Sequence, residues 1–193
     1  LYNLLALTYQ AKGEYDKSID LLNDALKRSK NNTNFINNIG LGYYRKKDYI
    51  KAESYFNKVL ELNPRFINTI NNLAGLYNEI NNTNESERLY LKALSIKDNV
   101  LETNYNYASF LQTLGRYDEA EKYYQKTLDI NKDFTRADKS LAMLKKYKKS
   151  DKYISSLEEK IKNKNLHRSN IKDLSFALGK IYEDIGEYKK SFE

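Results

Sequence analysis

The stretch FINNIGLGYY, Phe35 to Tyr44, returns as TINNLAGLYN, Thr69 to Asn78, with Ile39 falling on Leu73 after 34 residues. Both copies set a pair of asparagines among apolar residues spaced for a helix, although asparagine is a poor helix former. Two questions follow: what the repeat builds, and why asparagine occupies such positions in it.

Working outward, Leu5-Ala6, Ile39-Gly40, Leu73-Ala74 and Tyr107-Ala108 succeed one another at steps of 34 residues without insertion. A bulky residue follows three positions after each small one, at Tyr9, Tyr43, Tyr77 and Leu111, so large, small and large groups share one helical face. A turn is read at Gly13, Lys47-Asp48, Asn81-Asn82 and Gly115, where glycine or asparagine takes the left-handed conformation that ends a helix. A second helix then carries Ser18, Ala52, Ser86 and Ala120, next Leu22, Phe56, Tyr90 and Tyr124, and finally Ala25, Val59, Ala93 and Thr127. These spacings of four and three define one buried stripe.

The phrases resemble the tetratricopeptide (TPR) repeat, a helix-turn-helix unit of about 34 residues with a Leu-Gly-x-x-Tyr phrase, a later Ala-x-x-x-Phe and a closing Pro. Leu5-Ala6 to Tyr9, Ile39-Gly40 to Tyr43 and Leu73-Ala74 to Tyr77 carry the first phrase; Ala52 with Phe56, Ser86 with Tyr90 and Ala120 with Tyr124 carry the second. The closing proline survives only as Pro64, with Lys30, Asp98 and Lys132 at the equivalent places. The resemblance implies an all-α fold, a right-handed TPR solenoid of antiparallel helix pairs. Four regular units are expected at about 1–32, 33–66, 67–100 and 101–132, a degenerate fifth at 133–168 and a partial, truncated sixth at 169–193. Small residues are needed where helices A and B of a unit cross closely.

In the fifth unit, Phe134 to Lys149 reads as helix A with Leu141-Ala142 in register, although Lys145 stands where the repeat wants tyrosine. Tyr153, Ile154, Leu157 and Ile161 outline helix B. The motif returns at Leu178-Gly179, Tyr182, Gly186, Tyr188 and Ser191, displaced by three extra residues near Asn163 to Asn170. Both ends read as interrupted repeats, so a segment of a longer protein is expected, and the incomplete terminal repeats give a route to self-association.

The residues point away from catalysis. His167, the single histidine, reads as a solvated loop residue; no phosphate-binding glycine loop or His/Cys metal cluster is present, and Glu158-Glu159 point apart on a helix. No catalytic residue, metal or cofactor is therefore assigned. The chain has no cysteine, which suits a reducing compartment such as the cytoplasm, and no apolar run long enough for a membrane span. Its net charge of +7 could indicate an anionic partner, but the richness in Lys, Asn and Ile reads first as the compositional bias of an AT-rich genome, because no compact basic motif concentrates the charge over the first two thirds of the chain. The run KKYKKSDKY, Lys145 to Tyr153, is the strongest candidate for nucleic acid, through lysines on phosphates and interleaved tyrosines on bases, yet without a nucleic-acid fold such a partner is not expected.

The resemblance places function on a concave groove lined by helix A. Immediately before the Leu-Gly pair stand Leu4, Asn38, Asn72 and Asn106, and one position earlier Asn3, Asn37, Asn71 and Tyr105. Asn38, Asn72 and Asn106 match the asparagine ladder of TPR superhelices similar to those of O-linked N-acetylglucosamine transferases. A carboxamide pairs with an extended peptide's N–H and C=O without reading its side chains. Tyr44, Tyr105 and Gln112 are further groove candidates. The carboxylate clamp of chaperone-tail-binding relatives is excluded, because Asn3, Leu7 and Asn72 hold its places. The expectation is a non-catalytic scaffold for a protein or peptide partner. The alternative is the substrate-recruiting part of a larger transferase. FALGKIYEDIGEYKKSFE, Phe176 to Glu193, resembles the last repeat before the catalytic domain of bacterial TPR-linked sulfotransferases, whose donor, 3′-phosphoadenylyl sulfate, would bind downstream of Glu193; a glycosyltransferase is the lesser variant.

Overall fold

The computed structural model describes residues 1–191; Phe192 and Glu193, which close the sixth-unit phrase, lie outside the described residues. All regular structure among the described residues is helical. The chain divides into two compact units, residues 1–97 and 98–193. The first contains α1 (Tyr2–Ala11), α2 (Tyr15–Arg28), α3 (Thr33–Arg45), α4 (Tyr49–Leu62), α5 (Ile67–Glu79) and α6 (Thr83–Ile96). The second contains α7 (Leu101–Thr113), α8 (Tyr117–Ile130), α9 (Thr135–Leu144), α10 (Lys152–Ile161), α11 (Arg168–Asp184) and α12 (Tyr188–Ser191).

One turn recurs. After α1, α3, α5, α7 and α11 a single residue takes positive φ: Gly13 (79°), Lys47 (62°), Asn81 (60°), Gly115 (73°) and Gly186 (77°). The next N–H folds back onto the helix, Glu14 to the Tyr9 carbonyl (2.9 Å), Asp48 to Tyr43 (3.0 Å), Asn82 to Tyr77 (2.8 Å), Arg116 to Leu111 (3.0 Å) and Glu187 to Tyr182 (2.8 Å). This is the Schellman arrangement, which satisfies helix-end carbonyls and turns the chain for an antiparallel partner. Asp48 and Asn82 then cap the following helix, accepting from the N–H of Lys51 and of Glu85.

Helices A and B pack in pairs, α1 with α2, α3 with α4, α5 with α6 and α7 with α8. The small positions permit it. A Cβ on Gly40 would lie 2.7 Å from the fully buried Phe56 ring, and Ser86 on α6 donates its hydroxyl to the Ala74 carbonyl on α5 at 2.9 Å. In the first unit Ala6, Ile19, Leu22 and Ile39 form one buried cluster.

The fifth repeat departs from the expected form. Helix A does not run from Phe134 to Lys149: α9 ends at Leu144, and Lys145 is extended (φ −143°, ψ 168°). The cause is Tyr147, which turns inward and joins Ala142, Ile154, Leu157, Leu174 and Ile181 in the core of the second unit. Its hydroxyl caps the Leu141 carbonyl (3.2 Å), and its N–H bonds Asp184 (3.1 Å). α9 therefore packs on α8 and α11 rather than pairing with α10. A fully buried carboxylate, Asp138 on α9, links it to α10, accepting from Lys160 (2.8 and 2.9 Å) and from the Tyr153 hydroxyl (2.7 Å). Burial pushes the Asp138 carboxyl above its usual range against the pull of Lys160 and Tyr153.

Candidate functional site

In the first unit the asparagine columns form a continuous hydrogen-bonded path across three helices A. Asn38 on α3 donates to Asn3 on α1 (3.2 Å), Asn37 donates to Asn38 (3.1 Å), and Asn72 on α5 donates to Asn37 (3.0 Å). The Asn37 oxygen also accepts from the buried Thr69 hydroxyl (2.7 Å). Gln10 adds a bond to the Asn38 main-chain carbonyl (2.8 Å). A carboxamide offers two N–H donors and an acceptor oxygen, so it can relay a bond at every repeat and keep capacity for a further partner. That relay is what the unfavourable helix propensity is exchanged for.

The two columns divide in exposure. Asn37 and Asn71 are 7% and 6% exposed, so neither presents an open side chain to a groove as expected; Asn37 is instead bonded across to Thr69 and Asn72 of the next repeat. Asn3, Asn38 and Asn72 are partly exposed. Asn38 spends one N–H and one oxygen lone pair within the chain, and Asn72 one N–H, leaving each with capacity for a further partner.

In the second unit Asn106 is partly exposed. Tyr105 is packed, its ring 5.6 Å from Tyr124 and 5.1 Å from Phe134, with the Arg136 guanidinium 5.3 Å away. Gln112 accepts from the Tyr124 hydroxyl at 2.8 Å. Sequence reasoning passed over Asn104, which falls where Ile36 and Ile70 stand in earlier repeats; it is fully buried and donates to the carbonyls of Asp98 (2.7 Å) and Val100 (2.8 Å). Tyr44, in the first unit, sits 5.9 Å from Tyr49 with its hydroxyl 3.9 Å from where a Gly75 Cβ would be. Burial first, then Glu79, raises its pKa. These aromatic candidates fill gaps between helices.

The lysine run does not offer what base stacking requires. Tyr147 is buried and Tyr153 is bonded to Asp138, while Lys145 pairs with Glu121 (2.5 Å) and Lys149 with Glu187 (2.7 Å). His167 is exposed and caps α11, its Nδ1 accepting from the Ser169 N–H at 3.3 Å. Among the described residues no group of His, Cys, Asp or Glu is arranged to hold a metal ion, and no helix is long and apolar enough to cross a membrane.

The five Schellman turns, the A–B pairs and the 34-residue register define a helical-repeat protein. Models of the tetratricopeptide repeat match residues 1–32, 35–66, 66–104 and 101–134, and the chain belongs to that family. Similar solved structures include MamA, 19% identical over 97% of this chain and 97% of that one with a TM-score of 0.59. PilF of Pseudomonas aeruginosa is 15% identical over 93% of this chain and 74% of that one, with a TM-score of 0.67. MamA from Desulfovibrio magneticus RS-1 is 14% identical over 99% and 94%, with a TM-score of 0.60. At such identities the likeness is one of fold. No curated protein sequence matches the chain.

Proposed function

We propose that this chain is a non-catalytic protein-interaction scaffold that holds an extended peptide segment on the helix A faces of its repeats. The observation that carries the reading is the residual bonding capacity of the partly exposed Asn38 and Asn72, fixed in orientation by a relay through the buried Asn37. Pre-oriented carboxamides lower the ordering cost of grasping a main chain. In the second unit Asn106 plays the corresponding part. The alternative reading, a recruiting segment of a sulfotransferase-type or glycosyltransferase-type enzyme, rests on the sequence resemblance alone.

The test is a peptide selected by display on the full chain, its affinity compared between the wild type and the Asn38→Ala/Asn72→Ala variant at matched thermal stability. With each bond contributing roughly 0.5–1.5 kcal/mol, the pair should weaken binding by about 5- to 150-fold. Unchanged affinity refutes the reading.

A further inference from the structure

A cleft of 390 Å³ opens on the first unit between α1, the start of α2 and α3, lined by Leu7, Gln10, Ala11, Tyr15, Leu41 and Arg45. Leu7 is 44% exposed and the neighbouring Leu4 70%. Packing does not demand these side chains, because the position held by Leu7 and Leu41 is Gly75 and Ser109 in later repeats, and that of Leu4 is asparagine in each. The helix A surface is thus apolar at α1 and α3 and carboxamide-rich from Asn38 to Asn72. A charge stands at the cleft as well. Glu14 and Asp16 are taken by Lys17 and Lys46, whereas Arg45 pairs with no carboxylate among the described residues. Gln10 cannot serve in its place, since its amide is committed to Asn38 and Ser18.

We propose that this cleft anchors the partner peptide by an aliphatic side chain adjacent to an acidic one. The aliphatic group is buried against Leu7, Ala11 and Leu41, and the carboxylate forks onto the Arg45 guanidinium. The net charge of +7 favours the same acidic partner. The inference rests on the peptide-face reading and gives it polarity: a side-chain anchor at α1 and α3, followed by main-chain bonding at Asn38 and Asn72.

The experiment uses the full chain and fluorescein-labelled peptides with Gly-Ser flanks around a central Leu-Asp, Leu-Asn or Ala-Asp, read by anisotropy. Leu-Asp should bind at least about 10-fold tighter than either other peptide. Arg45→Gln, at an exposed position, should equalise Leu-Asp and Leu-Asn, and Leu41→Ser should equalise Leu-Asp and Ala-Asp. Leu7→Ser replaces the latter should Leu41→Ser fail to fold. Equal affinities, no binding at millimolar peptide, or a preference surviving Arg45→Gln would overturn the proposal. So would tighter binding of a peptide ending in a free leucine carboxylate. If Asn38→Ala/Asn72→Ala weakens all three peptides alike while no preference exists, the anchor fails and the peptide face stands. A preference that Arg45→Gln removes, beside a silent asparagine pair, leaves the anchor standing and defeats the main-chain reading.

Discussion

Lys145 donates to Glu121 across 2.5 Å, and the pair stands 24 residues apart, the separation at which Tyr77 donates to Glu53 and Tyr182 to Glu158, each at 2.6 Å. In every case a residue of a helix A, or just beyond it, reaches back to a glutamate on the preceding helix B. The lysine that breaks the aromatic phrase of the fifth repeat therefore keeps that phrase's hydrogen bond. It does so with a flexible stem in place of a ring, as the early end of α9 requires.

The three bonds should differ in strength. Tyr182→Phe should cost roughly 0.5–1.5 kcal/mol, whereas Lys145→Met should cost less than about 1 kcal/mol and lose even that at high salt, its partners being about half exposed. Burial and then Glu53 push the Tyr77 hydroxyl up to about 12. The folded chain thus favours the neutral phenol, a contribution fully present below the ordinary tyrosine pKa and lost as pH rises from there through about 12. Cζ-labelled tyrosine resonances should show it, and Glu53→Gln should lower the midpoint.

Two helical glycines should respond to alanine with opposite signs. At Gly40 the new methyl meets the Phe56 ring at 2.7 Å and Tyr55 Cβ at 3.2 Å; overpacking of roughly 1–3 kcal/mol outweighs a helix-propensity gain of about 1 kcal/mol at most. At Gly75 the nearest atoms are hydroxyls at 3.9 Å, so alanine should stabilise by about 0.5–1 kcal/mol. Urea midpoints of the two variants should move apart.

Asn37→Ala should cost roughly 1–3 kcal/mol, because it removes the acceptor shared by the buried Thr69 hydroxyl and Asn72. Thr69→Val in the same background should restore part of the loss, since both partners are then absent. A double-mutant cycle reads the coupling.

Lys160→Met should destabilise the second unit more than Asp138→Asn, the former leaving a buried carboxylate without its cation at a cost of about 3–5 kcal/mol. The raised Asp138 pKa means that the folded chain holds the proton more tightly than the unfolded one. Its contribution to stability is thus largest in acid and declines as pH rises above the ordinary carboxylate range. Asp138→Asn should remove that slope, and the Asp138 Cγ resonance should titrate above the usual value.

The repeat register was legible because packing at 34-residue steps constrains residue size strongly: the glycines and asparagines read as turn residues at Gly13, Asn81 and Gly115 hold positive φ, as does Lys47. What escaped the sequence was decided by single side chains. Tyr147 reads as one aromatic in a lysine run, and nothing local announces that its ring will displace the end of a helix. Asn37 and Asn38 are chemically identical neighbours, and only the helix rotation that buries one at 7% exposure tells them apart. Residual capacity in a carboxamide depends on which partners its neighbours have already taken.

Because α9 rests directly on α11, while α10 packs against α11 and reaches α9 through the Asp138 carboxylate, the stack passes from α9 to α11 without running through α10. In a linear array, loss of one rung uncouples everything beyond it; loss of α10 interrupts no such chain. Amide hydrogens of α10 should therefore exchange through an opening of their own, faster than those of α9 and α11. Insertions in the exposed connection from Asn163 to Asn165, after α10, should be absorbed with the contact of α9 on α11 left intact.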